Sequence, residues 1–305
     1  MLQKVGLQMK MNSKKAEVLM ISVTLAWGAS YLLMKVGLEG IGPFNLIALR
    51  FGIAFVCMAI IFFPCFQKLT YIILMKGILL GILLFLLFAG LVCGVNHTAA
   101  STAAFLASTT VLIVPILESM LKFRLPDTSV VISVILAMIG LYLLIVKETL
   151  FLDDGTLYCL LAALFYAIYI IVLGKIAQRE NILPISIIQL GVVSILGFIC
   201  AVFFESPELP KTAIQWSSIF GLGIFCSAYG FVVQSIVQQY ISPEKVGLIF
   251  SLEPVFAAML SFIFLDEILG VKGYIGAAFI FFSIIFSKLK VKKLISFSSK
   301  ITSSL

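Results

Sequence analysis

GILLGILLFLLFAGLVCGV, Gly77 to Val95, runs for nineteen residues without a charge, an amide or a hydroxyl. A membrane-spanning helix needs ~20 predominantly apolar residues, because inside hydrocarbon every backbone polar group must be satisfied within its own segment. The stretch predicts a transmembrane helix, and its neighbours repeat the signal. Before it lie apolar runs at about Val18 to Met34 and Phe44 to Pro64. After it come Ala99 to Leu121, Val130 to Val146, Leu157 to Gly174, Ile185 to Phe204, Ser217 to Val237, Val246 to Leu265 and Tyr274 to Ser287. The expected fold is an all-α membrane protein with ten transmembrane helices.

Composition points the same way. Of 305 residues 62% are hydrophobic and 11% charged, against roughly 45–50% and about 25% in soluble domains. Soluble enzymes and soluble binding modules are excluded. Ten spans would use about 200 residues, and the remainder holds no independent soluble domain. The first run is uninterrupted and lacks an A-x-A cleavage site, so it reads as a signal anchor.

The net charge of +7 carries information through its distribution. With a cytoplasmic N-terminus, the cytoplasmic segments collect sixteen Lys and Arg, among them Lys14, Lys68, Lys76, Lys122, Arg124, Arg179 and Lys245, while the other side receives Lys147, Lys211 and Lys272. Such a bias places both termini in the cytoplasm of a multi-pass cell-membrane protein and supports an even number of crossings. The basic stretch Lys288 to Lys293 reads as an anchor at anionic headgroups. No nucleic-acid partner is implied.

Metal and covalent chemistry find little material. His97 is the single histidine, which excludes HExxH sites and bis-histidine haem ligation, and the six cysteines form no CxxC pair. No cofactor or metal is expected.

The halves resemble each other. Ala26-Trp27-Gly28-Ala29-Ser30-Tyr31 aligns with Leu164-Phe165-Tyr166-Ala167-Ile168-Tyr169, and Pro115 with Pro254. A repeat of about 139 residues with five helices turns its second copy upside down, an architecture that carriers use to expose one midplane site to each side in turn. The expected segments are a tail at 1–16, a first repeat at 17–147, a second at 154–287 and a basic tail at 288–305.

Phe250-Ser251-Leu252-Glu253-Pro254-Val255-Phe256-Ala257-Ala258, followed by Leu265-Asp266-Glu267 and Gly276-Ala277-Ala278, resembles the second repeat of EamA-type transporters of the drug/metabolite transporter superfamily. Trp27-Gly28-Ala29-Ser30, Lys35, Pro43, Arg50-Phe51, Ala103 to Leu106 and Val114-Pro115 resemble the first. Lys122-Phe123-Arg124-Leu125 stands where the family often has a Gly-Glu pair, and Asp266 replaces a usual glycine. The resemblance implies a ten-helix carrier for small organic solutes such as amino acids, amines and related metabolites.

Polar residues inside the runs mark candidate sites. Gly223, Ser227, Gly230, Gln234 and Gln238 follow at helical spacing and share one face; helix packing and cavity lining are both open for them. Trp27, Tyr31, Tyr166, Tyr169 and Tyr229 offer flat apolar faces with polar edges, suited to chamber walls or to ordinary packing. Thr24, Gly28, Tyr31 and Lys35 form a second stripe. Lys35 and Arg50 lie near the outer boundary, where snorkelling competes with function. Glu118 and Lys122 form an i,i+4 pair. Glu253 lies about 10 Å inside the boundary at ~1.5 Å per residue, so it needs a partner from another helix or a proton. Pro115 and Pro254 free the carbonyls of Val111 and Phe250, which suits hinges, site lining or tolerated kinks.

The expected function is a secondary transporter working by alternating access, with a small solute, the lipid bilayer and protons as partners and with homo-oligomers compatible. The alternatives are an uncoupled multidrug or polyamine facilitator and a membrane-embedded lipid-modifying enzyme acting through Ser30, His97 or Glu253.

Overall fold

The computed structural model describes residues 11–97, 100–123, 125–145, 154–265 and 270–286. Thirteen α-helices succeed one another among them: α1 Ser13–Leu38, α2 Pro43–Ile61, α3 Tyr71–His97, α4 Ala100–Ser108, α5 Thr110–Lys122, α6 Thr128–Ile145, α7 Asp154–Ala177, α8 Ile182–Phe204, α9 Ala213–Gly221, α10 Gly230–Val237, α11 Pro243–Phe250, α12 Glu253–Leu265 and α13 Val271–Phe286. A 3₁₀ turn at Phe63–Lys68 follows α2, and a π-helical segment at Leu222–Tyr229 joins α9 to α10. No strand occurs among the described residues. Seven helical stretches are long and apolar enough to cross a membrane, and the apolar parts of α6 and α13 are shorter.

Several helices begin before their apolar runs because a hydrogen-bonded ladder is not confined to hydrocarbon. Asn12 caps α1 by accepting from the Lys15 amide at 2.9 Å. Thr212 and Gln215 form a capping box at the start of α9, reciprocally satisfying two free donors. Lys76, in the first turns of α3, pairs with Glu180 after α7.

Three runs depart from the single helix expected of them. The fourth is interrupted at Thr109 and the ninth at Ser251-Leu252, while the eighth widens into the π-helical segment. Neither interruption sits at its proline. Pro115 is inside α5, and Pro254 is in the first turn of α12, where its missing N–H costs no ladder bond. At each interruption a hydroxyl bonds back to the preceding turn, whose carbonyl also accepts the same residue's amide: Thr109 Oγ1 and N–H donate to Leu106 O at 2.5 and 3.1 Å, and Ser251 Oγ and N–H to Leu248 O at 2.6 and 3.2 Å.

The helices pack in a definite pattern. α2 lies along α8, and α6 along α13. α1 contacts α12 and the α9 to α10 stretch; α7 contacts α4, α5 and α3. Gly28 brings α1 and α12 together, since a Cβ there would stand 2.9 Å from the Ala257 amide nitrogen and 3.1 Å from Glu253 O. Gly140 does the same for α6 against α13, with Gly276 O at 2.6 Å from that Cβ position. Small residues at such crossings let backbones approach where lipid gives helices no hydrophobic reason to associate.

Candidate functional site

The centre of the bundle is aromatic. Phe231 of α10 has the rings of Trp27 at 5.0 Å, Phe88 at 5.6 Å, Phe51 at 5.9 Å and Tyr169 at 6.4 Å. Beyond Trp27, Phe250 lies 5.2 Å away and stacks on Tyr166 at 4.9 Å. Helices from both halves of the chain therefore meet in one cluster of rings. Gly230 makes room for it: a Cβ there would come 2.5 Å from the indole nitrogen of Trp27.

Polar edges of this cluster are tied to the helices around it. Trp27 Nε1 donates to Cys226 O at 2.7 Å, in the π-helical segment. The Tyr31 hydroxyl lies beside the carboxyl of Glu253. Gln234 lies beside Tyr166; its Nε2 donates to Gln238 Oε1 at 3.4 Å, while its Oε1 is buried and finds no partner among the described residues. The hydroxyl of Tyr169 donates to Gln189 Oε1 at 3.0 Å, and the Gln189 amide reaches Ser235 Oγ at 3.4 Å. Gln238 donates to Ile170 O at 2.9 Å and so bridges the end of α10 to α7.

Trp27, Tyr31, Tyr166, Tyr169, Ser227, Gln234 and Gln238 are all buried in this region. Tyr229 stands apart: it is 37% exposed and shares a 2.6 Å hydrogen bond with Ser22 on the outer face of α1. Spacing explains the difference, because Tyr229 follows Ser227 by two residues and so lies on the opposite side of the helix from it at about 100° per residue. Lys35 is likewise exposed, so the stripe on α1 ends at Tyr31.

Glu253 is partly buried at the start of α12, against α1, and among the described residues it forms no ion pair. Arg50 does not snorkel. It is 1% exposed, its Nε donates to Ser227 Oγ at 2.9 Å, and its guanidinium carbon lies 4.6 Å from the Phe88 ring and 5.1 Å from the Phe51 ring. Pro115 in α5 and Pro254 in α12 are both buried. Glu118 and Lys122 form the ion pair that their spacing predicts, and Lys122 also reaches Glu244 at 3.6 Å.

Phe51, Phe88, Phe231 and Phe250 escape the sequence reading, since nothing marks four rings among 27 phenylalanines. Gln189 carried a usable signal. It is the sole amide of the Ile185 to Phe204 run, and it follows Arg50 by 189 − 50 = 139 residues, the spacing that separates Pro115 from Pro254.

Known proteins agree with this architecture. A crystal structure superposes with a TM-score of 0.76 over 92% of this chain and 99% of the other, at 17% identity, which is a likeness of fold. An uncharacterized transporter of Archaeoglobus fulgidus is 28% identical over 270 residues, covering 88% of this chain and 84% of the relative. The uncharacterized transporter YoaV of Bacillus subtilis is 24% identical, over 85% of this chain and 92% of its own length. The family described as EamA-like transporters matches residues 14–146 and again 154–289. With two matches that together span most of its length, a bundle of apolar helices and an aromatic centre between its halves, the chain belongs to the EamA-like transporter family.

Proposed function

We infer that the chain is a proton-coupled secondary transporter of small organic solutes, with ten transmembrane helices in two inverted repeats, 17–147 and 154–287, and both termini in the cytoplasm. In this reading the solute occupies the space between Trp27, Tyr31, Tyr166, Tyr169, Ser227 and Gln234, while Glu253 carries the proton. Pro115 and Pro254, just past the interruptions of the fourth and ninth runs, mark where those helices flex.

The pairing of helices supports the inverted repeat. Exchanging the two halves maps α2 against α8 onto itself, and likewise α6 against α13; it also turns the α1–α12 contact into the contact of α7 with α5, and the α1–α11 contact into that of α7 with α4. One observation carries the coupling. Glu253 sits on a helix break, beside the Tyr31 hydroxyl, with no cation paired to it among the described residues. A carboxyl so placed exchanges a proton more cheaply than a salt-bridged one, because neither protonation state leaves a stranded counter-charge.

Transport into proteoliposomes under an imposed proton gradient tests this. Glu253→Gln should insert, bind solute and catalyse exchange, yet lose gradient-driven accumulation. Tyr31→Phe should shift the pH dependence without abolishing accumulation. Accumulation in Glu253→Gln equal to wild type would assign coupling elsewhere, and solute flux that ignores the gradient in the wild type would make the protein an uncoupled facilitator.

A further inference from the structure

Arg50 is the largest side chain among those almost wholly withdrawn from the surface. A guanidinium has five N–H donors and a charge that water no longer stabilises once it is buried. Its compensation here is thin. Nε is satisfied by Ser227, and the rings of Phe88 and Phe51 face the charge, but Nη1 is buried without a hydrogen-bond partner. Ring faces offset part of a positive charge yet accept none of the donors in the guanidinium plane. Among the described residues, no carboxylate pairs with Arg50.

Architecture alone does not call for this charge. At the matching place in the second half stands Gln189, a neutral amide whose ends are both engaged, by Tyr169 and by Ser235. A polar group suffices there to tie α8 to α10. The first half instead holds a permanent cation with a free donor, next to the ring cluster. Ser227 accepts from Arg50, which leaves its own hydroxyl proton available to an anion.

We propose that Arg50, with the Ser227 hydroxyl, binds the carboxylate of the transported solute, whose apolar part lies against Trp27 and Phe231. The argument fixes the charge class. One guanidinium in an otherwise aromatic setting balances a monoanion; a dianion such as hydrogen phosphate would carry an unbalanced charge into the bundle. The proposal rests on the transporter reading and gives its solute a chemical class: organic monocarboxylates, with or without an amine.

The test is thermal unfolding of the purified full-length protein at constant ionic strength with four probes: 3-phenylpropionate, 3-phenylpropanamide, 2-phenylethylamine and inorganic phosphate. A ligand that binds only the folded state raises Tm by an amount that grows as the logarithm of its concentration over Kd. The acid should raise the Tm of the wild type by several degrees near saturation, and the amide, amine and phosphate should not. Arg50→Lys keeps the charge but not the fork and should weaken the acid at least tenfold; Arg50→Gln should abolish its effect. If the Arg50 variants do not fold, the difference between acid and amide on the wild type decides alone. No shift with the acid, an equal shift with the amide, a larger shift with phosphate, or a full shift in Arg50→Gln would each overturn the proposal. Proton coupling plays no part in this measurement. Loss of the acid shift with gradient-driven transport intact removes the anion site and leaves the coupling reading standing, and the converse result does the reverse.

Discussion

Phe123 closes α5 in the left-handed region at φ 49°, its amide turned back to Met120 O and Ser119 O, and its ring is 95% exposed. A non-glycine residue in that conformation costs about 1–2 kcal/mol, and an exposed ring returns little packing. Phe123→Gly should therefore raise the unfolding free energy by about 1 kcal/mol, read by thermal unfolding in detergent; an unchanged or lower value would mean that the ring is anchored at the membrane surface. The two glutamines of the α10 stripe separate on the same kind of reasoning. Gln238 is engaged between helices, so Gln238→Leu should cost about 0.6 kcal/mol, the mean for interhelical hydrogen bonds in membranes, and leave solute affinity unchanged. Gln234 has a free Oε1 beside Tyr166, so Gln234→Leu should weaken solute binding more than it weakens the fold. Equal affinity losses in both variants would return the stripe to a single role. Sequence alone could not divide them, because their i,i+4 spacing places them on one face, and only the position of α7 decides which amide is occupied. The aromatic residues show the same boundary. Tyr31 and Tyr166 stand out by their hydroxyls within apolar runs, whereas Phe231, at the centre of the cluster, looks like any other phenylalanine.

Among elements, α2 illustrates how the ends of membrane helices are satisfied. Its first free amides, those of Phe44 and Asn45, donate to the two carboxylate oxygens of Glu205 at 2.9 and 3.0 Å, from the end of α8. Gly42 allows the approach, since a Cβ there would collide with that carboxylate. An acidic group at a helix N-terminus satisfies orphan donors and meets the positive end of the helix dipole. Glu205→Ala should cost about 1 kcal/mol, the usual loss on removing an N-terminal cap. Glu205→Gln should recover part of it, since one amide oxygen still accepts; identical losses in the two variants would show that packing, not capping, is at stake. Contacts between elements distant in sequence, such as this one, leave no local pattern. Breaks leave a displaced one: prolines announce that the fourth and ninth runs are irregular, but the interruptions fall six residues before Pro115 and two to three before Pro254, where the hydroxyls of Thr109 and Ser251 bond back to the carbonyls three residues earlier.

At the scale of the whole molecule, charged side chains gather at two ends. Glu17 of α1 meets Lys245 of α11 at 3.3 Å, Lys122 of α5 meets Glu244 at 3.6 Å, and Lys76 of α3 pairs with Glu180 after α7. The start of α2, the end of α8 and the start of α9 meet at the other end, through Glu205 and through Gln215 against Gly40. Among the runs these contacts join, such a sorting of helix ends follows when the chain alternates direction, and the distribution of Lys and Arg predicts that the first end is cytoplasmic. Gln178 and Ser206 are both exposed and lie on either side of α8, so single cysteines at these positions test one crossing and its direction together. The background replaces the six native cysteines, with serine at 226 to keep a donor for Ala26 O, which Cys226 Sγ now meets at 3.2 Å. Ser206→Cys should react with an impermeant maleimide in intact cells, and Gln178→Cys only after permeabilisation. The opposite pattern would turn the molecule over and put the ion pairs of α1, α5 and α11 outside. Reaction of both in intact cells would mean that α8 does not cross; its exact packing against α2, the contact that the exchange of halves maps onto itself, would then lose its meaning as a repeat axis.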